Sequence, residues 1–163
     1  LTFRIGALRD SRLMARKVGA VRRVVCASPD YLARHGRPVL PEELGHHPCI
    51  TFTGLGSTDR WDFTSDGQAR SVRVRSRLTV NSAEAAIDAA IAGLGVTRVL
   101  SYQMAAAQTA GLLEVVLQAH EPQAVPVSLV YDGQGALPLK LRAFLDFAAQ
   151  RMKSRLPVPD DPS

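Results

Sequence analysis

The alternation of hydrophobic and polar positions in residues 79–97 predicts a strand, a helix and a second strand with short connections. Asn81 is the predicted N-cap of this helix, and Glu84 lies three residues later, as in a capping box. Gly93 or Gly95 is expected to end the helix. The apolar positions at helical spacing are Ala83, Ile87, Ala90, Ile91 and Leu94. Helical spacing of this kind is typical of a helix that packs one face on a sheet, so we predict a βαβ unit.

The junction between the first strand and the helix is a candidate ligand site. Backbone N–H groups are free at residues 81–84, and small ligands bind at such junctions in open α/β sheets. Asn81 and Ser82 add side-chain oxygens at the same point. Two interpretations stay open: the pair caps the helix, or it holds a ligand, and one residue can do both.

Short extended segments separated by breaks make up the start of the chain. The predicted pieces are a strand at 2–5 ended by Gly6, a turn at 9–11, and extended segments at 13–18 and 21–27. Gly19 is expected to break or bend the chain between the last two. Arg22 and Arg23 are either a solvated strand edge or the charged lining of a cleft.

A compact helix signal follows, with Ser28 as N-cap, Pro29 at the first helical position and Gly36 just past the end. One further turn is predicted at 41–44, before a strand at 49–53.

Residues 61–79 predict a β-hairpin with its turn at 65–67. In its second strand, 70–79, arginine and threonine alternate with mostly apolar residues, so one face is expected to be buried. The arginine stripe is either an exposed strand face or a patch that docks an acidic partner. Trp61 is expected to pack in the core or within the hairpin.

The remaining chain predicts two more strands and two more helices. They are a helix at 101–111 capped by Ser101, strands at 112–117 and 125–131, and a last helix that begins at Pro138. Its predicted apolar stripe is Leu139, Leu141, Leu145, Ala148 and Met152. Residues 154–163 are rich in proline and polar residues, and we predict a disordered tail there.

Composition narrows the class of protein. The 163 residues, 46% hydrophobic and 21% charged, are typical of a globular protein, and no apolar run is long enough for a transmembrane helix. The net charge of +5 is spread along the chain, which is weak support for a polyanionic partner. The first residue is Leu1, so we expect a piece of a longer protein.

Metal and catalytic chemistry find little support in the sequence. His46, His47 and Cys49 are too close together in sequence to converge well on zinc, so no metal is expected. Cys26 and Cys49 are predicted to be buried free thiols, which favours a reducing cytoplasm. No Gly-x-Ser-x-Gly elbow, His-Glu-x-x-His motif or complete glycine loop is found, so we expect neither an enzyme nor a cofactor.

Several segments together resemble the effector-binding domain of LysR-type transcriptional regulators. They are Arg4–Gly6, Leu13–Val18, Arg22–Gly36, Pro41–Leu44, His47–Ile50, Ala92–Val96 and Leu112–Leu117. The resemblance covers residues 1 to about 153, and the Cys-Ala-Ser-Pro-Asp-Tyr-Leu stretch is its most specific part.

The resemblance implies an α/β fold like the periplasmic solute-binding proteins (type 2), with two Rossmann-like lobes and an effector cleft between them. The predicted division is residues 1–18 and 125–153 for an incomplete first lobe, 19–117 for the second, 118–124 for a crossover and 154–163 for the tail. The winged helix-turn-helix of the family, and the start of its first lobe, have no counterpart in this chain.

The resemblance further implies a cytoplasmic sensor that binds a small polar or anionic metabolite, pairs with itself as a homodimer or homotetramer, and reaches DNA only through the missing domain. No membrane partner is expected. The effector residues implied by family position are Asn81, Ser82, Thr51, Phe52, Thr53, Gly6, Tyr131 and Gly133. The alternatives are ordinary packing for residues 51–53, strand termination for Gly6, and a dimerisation module with a vestigial cleft.

Overall fold

The structure is a computed structural model that describes residues 1–7, 12–133 and 138–156. The turn predicted at 9–11 and the tail from residue 157 onward lie outside the described residues. The chain divides into two compact units. The first unit holds Leu1–Val21 and the chain from Ala124 onward, and the second holds Arg22–Gln123.

The described residues form strands and helices throughout both units. The strands are β1 (Thr2–Ile5), β2 (Leu13–Val21), β3 (Arg23–Ala27), β4 (Pro48–Phe52), β5 (Arg60–Ser65), β6 (Gln68–Arg73), β7 (Arg75–Val80), β8 (Val96–Leu100), β9 (Glu114–Val116) and β10 (Val125–Asp132). The helices are α1 (Pro29–His35), α2 (Ala83–Ile91), α3 (Ser101–Thr109) and α4 (Leu139–Arg155). Short 3-10 helices cover Pro41–His46, Thr53–Leu55 and Gln118–His120.

In the first unit, the described strands form an antiparallel sheet in the order β1-β10-β2. Helix α4 packs on β2 and buries Leu145, Ala148 and Ala149. The predicted stripe of this helix is wrong at Leu139, which is 81% exposed. Leu139 is the first residue of the helix and lies before the face that packs on β2. The spacing of apolar residues in the sequence does not show where that face begins.

Of the break or bend expected at Gly19, the break is wrong, because β2 continues through it to Val21, and a bulge at this point agrees with the bend. Opposite Gly19 the register shifts between Val127 and Ser128, so the irregularity is a β-bulge inside a continuous strand. A Cβ on Gly19 would lie 3.0 Å from the Cβ of Leu156, just beyond α4. Glycine at this position therefore gives the end of α4 room to pack on the strand.

The second unit contains a main sheet whose described strands run in the order β7-β4-β8-β3-β9. Strand β4 pairs in parallel with both β7 and β8, and β3 pairs antiparallel with β8 and β9. The predicted βαβ unit is confirmed as β7, α2 and β8, with β4 between its two strands.

Both faces of the main sheet are covered by apolar side chains. Successive residues of β3 point to opposite faces, so Val24 and Cys26 pack with the α2 side while Val25 and Ala27 pack with the hairpin side. Trp61 and Phe63 of β5 belong to the hairpin-side core, as the sequence predicted for Trp61.

Strands β5 and β6 form the predicted hairpin, but the prediction of one long strand over 70–79 is wrong. The segment divides at Val74: β6 pairs with β5, and β7 leaves to join β4 in the main sheet. The Val74 N–H donates to the Asp59 carbonyl oxygen at 2.9 Å, and its side chain is buried. The alternating run predicted as one strand over 70–79 therefore contributes strands to two sheets.

Helix α1 is capped as predicted, because Ser28 Oγ accepts the Tyr31 N–H at 3.1 Å and Gly36 follows with φ of 85°. Two other predicted caps are wrong by one residue. Ser82, not Asn81, caps α2. The cap of α3 is Leu100, and Ser101 is already helical.

Candidate functional site

The structure brings the predicted residues of the second unit together at one edge of the main sheet. Phe52, the last residue of β4, pairs with Val80, the last residue of β7. Because the two strands are parallel, the residues that follow them meet at the same edge. Thr53 therefore lies near Asn81 and Ser82, and we call residues 51–53, 81 and 82 the carboxyl edge.

Ser82 and Asn81 have different roles at this edge. Ser82 Oγ accepts the Ala85 N–H at 3.1 Å, so this hydroxyl caps α2. Asn81 is exposed, and its side chain makes no hydrogen bond within the described part of the chain. The first N–H groups of α2 also lack partners inside the helix, which gives the edge a partial positive charge. Glu84, in the first turn, partly offsets that charge.

Residues 51–53, at the end of β4 and just after it, also differ in their roles. Thr51 is 1% exposed, and its hydroxyl accepts from Ser76 Oγ at 2.9 Å and donates to the Thr58 carbonyl oxygen at 3.3 Å. Its side chain is therefore committed to internal bonds. Phe52 is half-buried against the core on the α2 side. Thr53 is exposed and begins a 3-10 turn.

The predicted residues of the first unit do not come together. Gly6 ends β1 with φ of 108°, and its N–H donates to Pro126 near the start of β10. Tyr131 and Gly133 lie at the other end of that strand. Five residues of strand separate Pro126 from Tyr131, which is about 17 Å. One small ligand therefore cannot contact both groups within this unit.

Arg98 is a buried cation that sequence reasoning missed. It is 4% exposed on β8, and its guanidinium carbon lies 5.4 Å from the centre of the Trp61 ring. Its Nε and Nη1 atoms have no hydrogen-bond partner among the described residues. Burial, and secondarily the charge of Arg23, lowers its pKa to about 10, so it stays protonated at neutral pH. A single charged residue inside a short strand of otherwise uncharged residues was the signal that could have revealed it.

The described side chains do not assemble a metal site or a reactive thiol. No group of three or more His, Cys, Asp or Glu in the described ranges could hold a metal ion. Cys26 and Cys49 are free and buried, and burial raises the pKa of each thiol to about 12, far from a thiolate at neutral pH. None of the described helices is long and apolar enough to cross a membrane.

Residues 1–153 match the family described as the LysR substrate binding domain. The chain belongs to this family. The predicted resemblance is thereby confirmed, and so is the α/β, periplasmic-binding-protein-like fold class that it implied.

Individual LysR-type regulators are similar to most of the chain. The HTH-type transcriptional regulator CrgA of Neisseria meningitidis is 32% identical over 157 residues, which cover 96% of this chain and 52% of CrgA. The HTH-type transcriptional activator AaeR of Escherichia coli is 27% identical, over 90% of this chain and 47% of AaeR. The chain thus spans about half the length of the curated relatives that it matches.

Solved LysR regulatory domains have the same fold. The regulatory domain of AphB from Vibrio vulnificus, treated with cumene hydroperoxide, matches with a TM-score of 0.80 and 29% identity over 91% of this chain and 73% of that one. The CrgA regulatory domain from Neisseria meningitidis matches with a TM-score of 0.76 and 32% identity, over 92% and 74% of the two chains.

Proposed function

We propose that this chain is the effector-sensing and oligomerisation domain of a LysR-type transcription regulator that acts in the cytoplasm. Membership of the LysR substrate-binding family carries this proposal. The whole protein would contact DNA through a helix-turn-helix segment, as the names of the relatives suggest, and this domain would act without catalysis.

The effector would be a small polar or anionic metabolite held at the carboxyl edge. Thr53, Asn81 and the free N–H groups at the start of α2 supply hydrogen-bond donors and acceptors that are exposed and not already committed. Phe52 offers an apolar ring beside them. Gly6, Tyr131 and Gly133 of the first unit stay predictions, and the length of β10 allows one small ligand to contact either Gly6 or the other two, but not both groups.

Sensing requires that the effector bind one arrangement of the regulator better than another, since equal affinity for both would shift no equilibrium. The exposed Asn81 amide suits such a role better than Thr51, because Thr51 would have to break internal bonds to reach a ligand.

A thermal-shift screen of small acids and aromatic metabolites on the intact regulator tests this proposal. Once a compound raises the melting temperature, Asn81→Ala should weaken its binding by about tenfold while unliganded stability stays within about 0.5 kcal/mol. Ser82→Ala is the matched variant and should cost about 1 kcal/mol of stability through loss of the cap.

A regulator that controls its promoter through oligomerisation while no compound stabilises it would contradict the sensing role. It would instead favour a dimerisation module with a vestigial cleft. Unchanged affinity for the stabilising compound in Asn81→Ala would show that Asn81 does not contact the effector.

A further inference from the structure

A cavity of about 360 Å³ lies in the second unit, at the opposite end of the β4 and β7 pair from the carboxyl edge. Its lining includes His46, His47, Arg75, Ser76 and Arg77. The two strands begin there with the pairing of Pro48 and Arg75. Four residues of β4 separate this end from Phe52, about 13 Å. The cavity is therefore separate from the proposed effector site.

The described residues of the lining are cationic in sum and include no carboxylate. Arg75 and Arg77 have no ion-pair or side-chain hydrogen-bond partner within the residues that the structure describes, and both are exposed. Other arginines of this unit pair with carboxylates: Arg22 with Glu121, Arg34 with Asp30, Arg37 with Glu114 and Arg70 with Glu42. Arg75 and Arg77 are thus among the arginines of this unit that no carboxylate neutralises, as Arg73 also is, but only these two line the cavity.

The two carboxylates of the 3-10 helix Pro41–His46, which leads into the lining, already have partners. Glu43 accepts the backbone N–H groups of Val39 and Leu40, both at 2.6 Å, and these bonds lower the pKa of its carboxyl group. Glu42 pairs with Arg70. Neither carboxylate neutralises Arg75 or Arg77, so the charge at the cavity is left for a ligand to satisfy.

An irregularity in β7 concentrates this charge. Cys49 pairs with Ser76 and Ile50 pairs with Leu78, which leaves Arg77 without a partner on β4. Such bulges are rare between parallel strands, and a bulge redirects side chains. Neighbouring residues of a regular strand point to opposite faces, yet three consecutive residues of β7 line this one cavity.

A buried contact fixes the other wall. His47 Nδ1 lies 2.7 Å from the Tyr31 hydroxyl, which ties the residue just before β4 to α1. Gly95 brings the backbone before β8 against the carbonyl group of Pro48 so closely that no side chain fits between them. The cavity therefore has one wall held by buried contacts and another that carries free guanidinium groups.

We propose that this cavity is a second ligand site, which binds a small organic anion bearing a carboxylate or phosphate group. The planar guanidinium groups of Arg75 and Arg77 donate paired N–H bonds that match the oxygens of either anion. His46, also in the lining, is exposed and its side chain makes no hydrogen bond or ion pair within the described residues. The volume suits a small metabolite.

Titrations of the intact regulator with small anions at constant ionic strength test the site. Citrate and inorganic phosphate are the separate probes, and calorimetry measures their binding. Saturable binding is expected for at least one, and the stronger probe identifies the preferred group. Arg75→Gln and Arg77→Gln should each weaken it by about tenfold. Arg73→Gln is the matched control, since Arg73 is exposed, has no partner in the described part and lies outside the lining. It should change affinity less than about twofold.

Three outcomes would overturn the proposal. The first is no saturable binding of either probe, and the second is an equal loss in Arg73→Gln, which would indicate general charge attraction. The third is binding of a polyglutamate peptide but of neither small anion, which would indicate a surface for an acidic protein segment. Melting curves of all three variants show whether each is folded.

Discussion

The two ends of the β4 and β7 pair offer different kinds of chemistry on one piece of sheet. The residues of the carboxyl edge are uncharged, although Glu84 follows in the first turn of α2, and they offer an amide, a hydroxyl and the N–H groups that open this helix. The amino end carries the full charges of Arg75 and Arg77 around a cavity. Dipolar groups at the carboxyl edge favour ligands of a particular shape and orientation. Full charges at the amino end attract any small anion, and salt screens that attraction.

A side-chain hydrogen bond joins the two ends. Ser76, from the cationic end, donates to Thr51, one residue before Phe52 at the other end. One strand pair can therefore present two ligand chemistries about 13 Å apart because a different element adjoins each end: a helix start at one, and a bulge and a turn at the other.

The largest effect on stability is expected from Gly95→Ala, which disturbs the packing at the amino end of the strand pair. Gly95 has φ of 155°, and an added Cβ would overlap the carbonyl group of Pro48. We expect a loss of about 3 kcal/mol in the free energy of unfolding, measured by urea denaturation.

Gly93→Ala is the matched control for this change, because Gly93 also has a positive φ, of 81°, but only Ser28 Oγ at 4.0 Å lies near its Cβ position. It should cost about 1 kcal/mol. Equal losses in the two variants would show that the approach to Pro48 does not hold the amino end in place.

An intermediate effect is expected from Thr51→Val, which cuts the bond that joins the two ends. The shape is kept, but the partners at Ser76 and Thr58 lose a buried hydroxyl, so we expect a loss of about 1–2 kcal/mol. Ser76→Ala should cost less, since Ser76 is exposed. Ser76→Ala also removes the contacts of the Ser76 hydroxyl with Leu78 and Thr79. A loss as large as that of Thr51→Val would contradict the expectation that the buried Thr51 hydroxyl contributes more.

The smallest effect is a dependence of stability on pH that originates at His47. Burial, followed by the charge of His35, lowers the pKa of His47 from its usual 6.5, and Glu43 partly opposes this. The charged or titratable groups around it are Tyr31, His35, His46, Glu43, Arg75 and Arg77.

Because folding favours neutral His47, its contribution is complete above pH 6.5 and is lost as the pH falls through the lowered pKa. Denaturation series from pH 7 to pH 5 should therefore show a shallower decline in His47→Gln than in the parent protein. An identical slope in the two proteins would mean that His47 does not contribute.

Local signals in the sequence predicted the elements whose stabilising contacts are themselves local. Ser28, Pro29 and Gly36 defined α1 because a cap, a helix start and a helix stop lie within a few residues. The βαβ unit was predictable for the same reason. The cap of α2 was predicted one residue too early, at Asn81, because both Asn81 and Ser82 suit the position. Only the backbone shows which one precedes the first helical residue.

Contacts between distant residues explain the failures. At Gly19 the sequence left a break and a bend open because it does not show that Leu156 packs against this residue. Alternation continues unbroken through Val74, so nothing in the sequence marks the change of partner from β5 to β4. The carboxyl edge was predictable from where strands end, whereas the cavity depends on a bulge at Arg77 that no local pattern reveals.

The buried position of Trp61 gives this domain an optical reporter. It is the only tryptophan of the chain, it is 1% exposed, and it lies in the hairpin that covers one face of the main sheet. Its indole ring lies next to the Arg98 guanidinium group. Detachment of the hairpin would bring water to the ring and shift its fluorescence to longer wavelength, so the unlabelled domain can signal that event by the colour of its own emission.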